Sequence, residues 1–166
     1  GLQQGTAFFA STTVFAIGGC FALMNASDQV IAVFRGLPVS LPSSRTMFEA
    51  KAAGLLLIYS YAFFKFGWAY RLINYCSILL GAVPLILNRE KITGDVRAAA
   101  AKAAQFSTLS GKHFNSGLRA VFFSIGFMGW FAGPYVFIAS TLFIFAVLAR
   151  RQFYSKARAA LLEAGE

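Results

Sequence analysis

The sequence is poor in charge and in the side chains that usually carry chemistry. Only 13% of its 166 residues are charged, whereas a soluble domain carries about 25%. It contains one histidine and two cysteines, and Cys20 and Cys76 each lie alone within apolar sequence. Two isolated cysteines provide neither the spacing of a metal site nor a disulfide framework. The composition therefore argues against a soluble domain and against a metal centre.

Acidic residues are missing from every long apolar run. The six acids all lie outside these runs: Asp28, Glu49, Glu90, Asp95, Glu163 and Glu166. A proton-coupled transporter normally keeps a carboxylate at membrane depth, and no serine has the base and orienting acid of a nucleophile beside it. We therefore predict no catalytic residue, no metal and no cofactor, so the chain is not expected to be an enzyme. An enzyme that works with a partner's quinone or haem has the least support.

Apolar residues dominate what is present. Hydrophobic residues make up 58% of the chain, which includes 19 Phe. Long uncharged runs of this kind predict an all-α integral membrane bundle, because a helix satisfies its own backbone in lipid. The length suits a single membrane domain over residues 1–166. The net charge is +9, but the basic residues cluster at the ends of apolar runs, which favours anionic lipid headgroups over nucleic acid.

Three apolar runs are long enough to cross a bilayer. The first covers residues 5–24, the second 52–75 with an extension to 87, and the third 120–149. The second run predicts a long central helix. In the third run, Gly129 and Pro134 interrupt the apolar sequence near its centre. A single kinked span is favoured there over a re-entrant hairpin of two short halves.

Polar or punctuated segments separate these runs. The connector before the second run contains a short apolar stretch at residues 29–34, and either Ser44 or Thr46 is a suitable cap for the helix that follows. Residues 88–119 form a polar connector with an Ala-rich helix from about Asp95 to Gly111. Residues 150–163 predict a short amphipathic helix that lies on the membrane surface.

Small residues recur on the central helix at an interval of seven. They are Ala53, Ser60, Gly67, Asn74 and Gly81. A stripe of small residues lets a second helix approach closely in lipid, and Gly129 with Gly133 forms a GxxxG face of the same kind. We predict helix packing at these positions, with another helix of this chain, with a second copy or with another membrane subunit.

Two cations lie within the apolar sequence of the predicted central helix. Lys65 and Arg71 lie in otherwise apolar sequence with Trp68 between them. Intramembrane cations are candidates for function, yet near a helix end their long side chains can reach the headgroups. Contact with lipid headgroups is favoured over a buried polar interaction. His113, in the polar sequence GKHFN, joins them as a candidate polar site.

Three sequence blocks resemble one family. The segments LQQGTAFFASTTVFAIGG, YAFFKFGWAYRLINYCSILLGAVP and GKHFNSGLRAVFFSIGFMGWFAGP, followed by LARRQF, resemble the domain-of-unknown-function 599 family. The resemblance implies a four-span helical protein of the bacterial inner membrane, with residues 88–119 on the cytoplasmic side and one span missing before Gly1. It carries over no catalytic residue.

The function expected from these observations is a non-catalytic one. We expect a structural or accessory subunit that packs in a larger membrane complex or a homo-oligomer, in contact with membrane lipids. The alternative is a small transporter, channel or lipid-binding protein that uses Lys65, Arg71 and Asn74.

Overall fold

Helices account for nearly all of the chain that the structure describes. The structure is a computed structural model that describes residues 2–35, 44–82 and 94–153. The helices of these ranges are α1 (Leu2–Asn25), α2 (Ser27–Arg35), α3 (Arg45–Gly81), α4 (Gly94–Ala132) and α5 (Pro134–Phe153). Within the described residues, three segments are long and apolar enough to cross a membrane: Gln3–Asn25, Arg45–Gly81 and Pro134–Gln152. The predicted fold class, all-α with three candidate spans and a long central helix, is confirmed.

The central helix begins before the apolar run that predicts it. The backbone N–H of Met47 donates to Ser44 Oγ at 3.3 Å, so Ser44 caps α3. Ser44 is one of the two caps that the sequence predicts, and Lys51, just before the apolar run, lies inside the helix. The helix ends at Gly81, and residues 83–87 of its predicted extension lie outside the described residues. So do residues 154–163 of the predicted surface helix.

Helix α2 occupies the short apolar stretch of the connector and joins the start of α3 through ionic contacts. Arg45 donates to Asp28 at 3.0 Å and to Glu49 at 2.7 Å. Ser27 adds a hydrogen bond to Glu49 at 3.3 Å. Each of these partly exposed ion pairs contributes little to the free energy of unfolding. Together they give both nearby carboxylates, Asp28 and Glu49, a cationic partner.

The predicted end of the Ala-rich helix at Gly111 is wrong, because α4 continues through it to Ala132. Contacts on both sides of Gly111 explain the continuation. Ser110 Oγ donates to the carbonyl of Ala69 on α3 at 2.9 Å. A Cβ on Gly117 would lie 2.8 Å from the Phe66 ring, so this glycine admits a close approach of α3. Tertiary packing therefore outweighs the weak helix propensity of a glycine.

The third predicted span is a hairpin, so the single kinked span expected over residues 120–149 is wrong. Gly133 separates α4 from α5 at φ 149°, a conformation that side chains with a Cβ rarely adopt. Glycines of α4 lie close to α5 along the hairpin: a Cβ on Gly126 would lie 3.2 Å from Thr141 Cα, and one on Gly129 would collide with Ser140. The two helices therefore run antiparallel, and Gly129 faces the chain's own α5.

The chain divides into two compact units. One contains Gly1–Ile17 with Tyr59–Leu118, and the other Gly18–Ile58 with Arg119–Glu166. In the first unit the rings of Phe9, Phe66 and Phe114 lie 5.5–5.7 Å apart. In the second unit, the ring centres of Phe48 and Phe131 lie 5.3 Å apart. The single domain expected over residues 1–166 stays a prediction.

Replacement of Gly133 by alanine tests the hairpin. We expect Gly133→Ala to lower the free energy of unfolding by about 1–3 kcal/mol, because a Cβ is strained at positive φ. Denaturation in detergent micelles measures the change. Gly19→Ala is the matched control, since a Cβ there meets nothing within 4 Å. A Gly133→Ala protein as stable as the control would contradict the turn.

Candidate functional site

Helix α3 carries cations and aromatic rings in alternation along one side. Tyr61, Lys65, Trp68, Arg71 and Tyr75 follow one another at intervals of three or four residues, which places them on one face of a helix. We call these five residues the cation–aromatic face. Trp68 is 50% exposed and Tyr75 40% exposed. The face is therefore an outer surface of the first unit.

Arg71 is fixed between two rings of this face. Its guanidinium carbon lies 6.0 Å from the centre of the Trp68 ring and 5.7 Å from that of Tyr75. Its Nε also donates to the Tyr75 hydroxyl at 2.8 Å. Each cation–π contact at an exposed site is worth about 0.5–1 kcal/mol. The rings thus orient the guanidinium while it remains exposed to a ligand.

Lys65, six residues before Arg71 on the same helix, has a similar but looser arrangement. Its Nζ lies 5.2 Å from the centre of the Tyr61 ring. The Tyr61 hydroxyl in turn shares a hydrogen bond of 3.0 Å with Ser116 Oγ on α4. Tyr61 is thereby held in place by α4, and Lys65 is supported by a fixed ring.

His113 meets the face through Trp68. The two rings lie 6.4 Å apart in an edge-on arrangement. Partial burial of the ring, and secondly the positive charge of Lys65, lower the pKa of His113 below its ordinary value. The structure therefore brings together the four residues that the sequence predicted as a polar site: Lys65, Trp68, Arg71 and His113.

Asn74 has a different role from the cations near it. Its Oδ1 accepts a hydrogen bond from the side-chain amide of Gln3, in the first turn of α1. Phe9 of α1 stacks on Phe66 of α3, so α1 and α3 run antiparallel in this unit. Asn74 thus joins two helices within the chain.

Apart from Asn74, the predicted stripe of small residues does not form the seam between α3 and its neighbours in the first unit. The buried residues of α3 in the first unit are Ala62, Phe66, Ala69 and Leu72. Gly67 and Gly81 are exposed, and a Cβ at either meets nothing within 4 Å. Ser60 is only half-buried. Whether another molecule packs on these glycines stays a prediction.

Sequence reasoning missed Lys51. This lysine, in the second unit, is only 6% exposed, and its Nζ donates to the backbone carbonyl of Trp130 at 2.9 Å. The Nζ also lies 5.5 Å from the Trp130 ring and 6.0 Å from the Phe131 ring. The available signal was its spacing from Phe48 and Leu55, three and four residues away, which puts Lys51 on the buried side of α3.

No group of three or more His, Cys, Asp or Glu side chains comes together within residues 2–35, 44–82 and 94–153. A shallow depression of about 440 Å³ lies along α4, lined by Ala104, Gln105, Thr108, Leu109 and Lys112. Its open shape and its position on one helix suit a surface contact more than the enclosure of a substrate.

Comparison with known proteins identifies the family. The family model described as "Protein of unknown function, DUF599" matches residues 1–157. The chain belongs to the DUF599 family. The resemblance found in the three sequence blocks is thereby confirmed. No curated protein and no solved structure matches this DUF599 chain.

The pKa of His113 tests the geometry of the site in this DUF599 protein. We expect Lys65→Met to raise the pKa of His113, because it removes a nearby positive charge while the burial remains. The chain has one histidine, so an NMR titration follows a single ring. Lys102→Met, a loss of the same charge elsewhere, should leave the value unchanged. An unchanged pKa in Lys65→Met would contradict the arrangement.

The same shift determines how stability depends on pH. Since folding lowers the pKa of His113, the unfolded chain binds the proton more readily. The contribution of neutral His113 to the free energy of unfolding should be fully present above the ordinary histidine pKa of ~6.5. It should fall as the pH drops from there through the lowered folded value. His113→Gln should remove this part of the dependence.

Proposed function

We propose that this DUF599 protein is a non-catalytic integral membrane protein that acts as a structural or accessory subunit. We further propose that its cation–aromatic face binds the headgroups of membrane lipids. One observation supports this most: Arg71 is exposed and oriented between Trp68 and Tyr75. An oriented guanidinium suits an anionic group, and rings beside it suit the zone where lipid meets water.

The depth of the face follows from contacts within the first unit. Gln3, the first residue of a candidate span, contacts Asn74. We place a membrane boundary there because the polar Gln3 and Gln4 precede the apolar run from residue 5, and this boundary lies level with Asn74 on the antiparallel α3. Trp68 is six residues from Asn74, or ~9 Å along the helix at 1.5 Å per residue. Tyr75 and Arg71 are closer, so the centre of the face lies within reach of the headgroups.

The chemistry of the face fits a lipid phosphate. An arginine can donate two parallel hydrogen bonds to a phosphate, and Arg71 uses its Nε on Tyr75, which leaves its terminal NH₂ groups for a ligand. Lys65 lies about one and a half turns deeper. Its apolar stem allows its ammonium to reach toward the same zone. Two cations on one face favour anionic over zwitterionic lipids.

A transporter or channel that uses Lys65, Arg71 and Asn74 has less support. Asn74 accepts a hydrogen bond from Gln3, whereas Lys65 and Arg71 contact rings at the surface. A conduction pathway needs polar groups that converge on one wet cavity. These three side chains instead serve an interhelical contact and an exposed face.

The accessory role rests on the open glycines of α3. Gly67 and Gly81 have free space above them, and small residues at a lipid-facing surface allow a helix of another subunit to approach closely. Gly67 directly precedes Trp68 of the cation–aromatic face. We propose that another membrane subunit or a second copy packs along this side of α3.

The membrane is proposed to be the bacterial cytoplasmic membrane. Helix α4 carries Arg97, Lys102, Lys112 and Arg119, against Asp95 as its single acid. Basic residues favour the cytoplasmic side, which supports placing the start of α4 there.

Lipid retention tests the headgroup contact. We expect Arg71→Ala to reduce the number of anionic phosphatidylglycerol molecules retained in native mass spectrometry several-fold, because the oriented guanidinium is lost. Lys102→Ala is the matched control, because it removes the same charge from an exposed position on α4. Phosphatidylcholine retention should change little in either variant.

Two results would contradict the headgroup proposal. One is equal loss of phosphatidylglycerol from Arg71→Ala and Lys102→Ala, which would indicate that only net charge matters. The other is full retention in Arg71→Ala. Arg71→Lys should show intermediate retention, since it keeps the charge but loses the planar fork.

A leucine at Gly67 tests the accessory role. We expect Gly67→Leu to release the protein from its assembly on native gels after mild extraction, since the bulky side chain blocks close helix approach. The monomer should keep its fold, because among the described residues nothing lies within 4 Å of a Cβ at Gly67. Gly19→Leu is the control on α1. A wild-type protein that is monomeric after mild extraction would contradict the proposal.

A further inference from the structure

The turn of the α4–α5 hairpin lacks one backbone donor. In a helix the carbonyl of residue 130 accepts a hydrogen bond from the N–H of residue 134, but residue 134 is proline, which has no N–H. Carbonyls on both sides of Trp130 accept hydrogen bonds from backbone N–H groups. Gly129 accepts from the N–H of Gly133 at 3.2 Å, and Gly133 accepts from the N–H of Phe137 at 3.0 Å. The carbonyl of Trp130 therefore needs a donor from elsewhere.

Lys51 of α3 supplies that donor. Its Nζ lies 2.9 Å from the carbonyl oxygen of Trp130, and the residue is 6% exposed. No carboxylate of the described residues pairs with Lys51. The two acids at the start of this unit's helices, Asp28 and Glu49, contact Arg45 instead. A lysine buried without an acid requires another explanation for its position.

We propose that the Lys51 ammonium acts as the donor that Pro134 cannot provide to the Trp130 carbonyl, and that this hydrogen bond fixes the tip of the hairpin against α3. The ammonium lies at the C-terminal end of α4, where the helix dipole is negative. The Trp130 and Phe131 rings add two further contacts with the charge. The proline that begins α5 and the lysine on α3 thus act together at the turn.

Geometry on both sides of the contact supports this assignment. Phe48, one turn before Lys51, contacts the Phe131 ring at 5.3 Å. Gly54, one turn after it, lies against Phe127, whose ring would be 2.6 Å from a Cβ at that position. The tip of α4 is therefore seated on α3 by contacts above and below, and Lys51 provides the polar contact between them.

The carbonyl stretch of Trp130 tests the proposal directly. With tryptophan labelled by ¹³C at the carbonyl, Lys51→Met should shift the infrared band of Trp130 to higher frequency, because the carbonyl loses its hydrogen bond. The other labelled residue, Trp68, lies inside α3 and cancels in the difference spectrum. Lys102→Met is the matched control and should leave the band unchanged.

A double-mutant cycle with Pro134→Ala provides the second readout. Lys51→Met should raise the equilibrium constant for unfolding about tenfold, the size expected for a buried carbonyl left without a donor. The Pro134→Ala background restores an N–H at residue 134. There the effect of Lys51→Met should be clearly smaller.

Two outcomes would overturn the proposal: an unchanged Trp130 band in Lys51→Met, or the same loss of stability in both backgrounds. If Lys51→Met alone does not fold, Lys51→Gln replaces it in the infrared measurement, because its side chain is too short for the same contact. An unshifted band in folded Lys51→Gln would then overturn the proposal, and a shifted band would support it.

Discussion

Close approach of the helices imposes the main constraint on this structure, because helices in lipid associate through tight packing and through interhelical hydrogen bonds, here to backbone carbonyls. Side chains of neighbouring helices donate to several of them. Ser110 donates to Ala69, Cys76 to Ala103 and Ser140 to Gly126. Lys51 does the same for Trp130 with a full charge. Such contacts require small side chains or glycine beside them, which explains why Gly117, Gly126 and Gly129 face other helices.

The sequence predicts the helical class and the number of candidate spans, because hydrophobic run length depends on local composition alone. It predicts the third run wrongly, because the direction of the chain after Gly133 depends on how closely Gly129 approaches α5 and on a donor 79 positions away in the sequence, Lys51. The seven-residue period of α3 is real but its phase is shifted. A large residue, Phe66, lies in the seam since Gly117 on α4 makes room for it, and one helix alone cannot reveal that.

The cations of the chain serve two distinct purposes that composition cannot separate. Lys51 is buried and donates a hydrogen bond to a backbone carbonyl. Arg71 and Lys65 instead make cation–π contacts with rings at the surface. The sequence predicted that Lys65, Trp68, Arg71 and His113 belong together, because the first three share a helix face at spacings of three to four residues. Their link to His113 depends on the pairing of α3 with α4, which puts the two residues 6.4 Å apart ring to ring. Buried charge therefore holds helices together, whereas exposed charge is proposed to contact lipid headgroups.

The depth of Trp68 in a bilayer tests this account most directly. In a Trp130→Phe variant, Trp68 is the single tryptophan of the chain, and lipids brominated at different acyl positions report its distance from the bilayer centre by fluorescence quenching. The account predicts strongest quenching by bromine close to the headgroups. Strongest quenching by bromine near the chain ends would place the cation–aromatic face at the bilayer centre and contradict it.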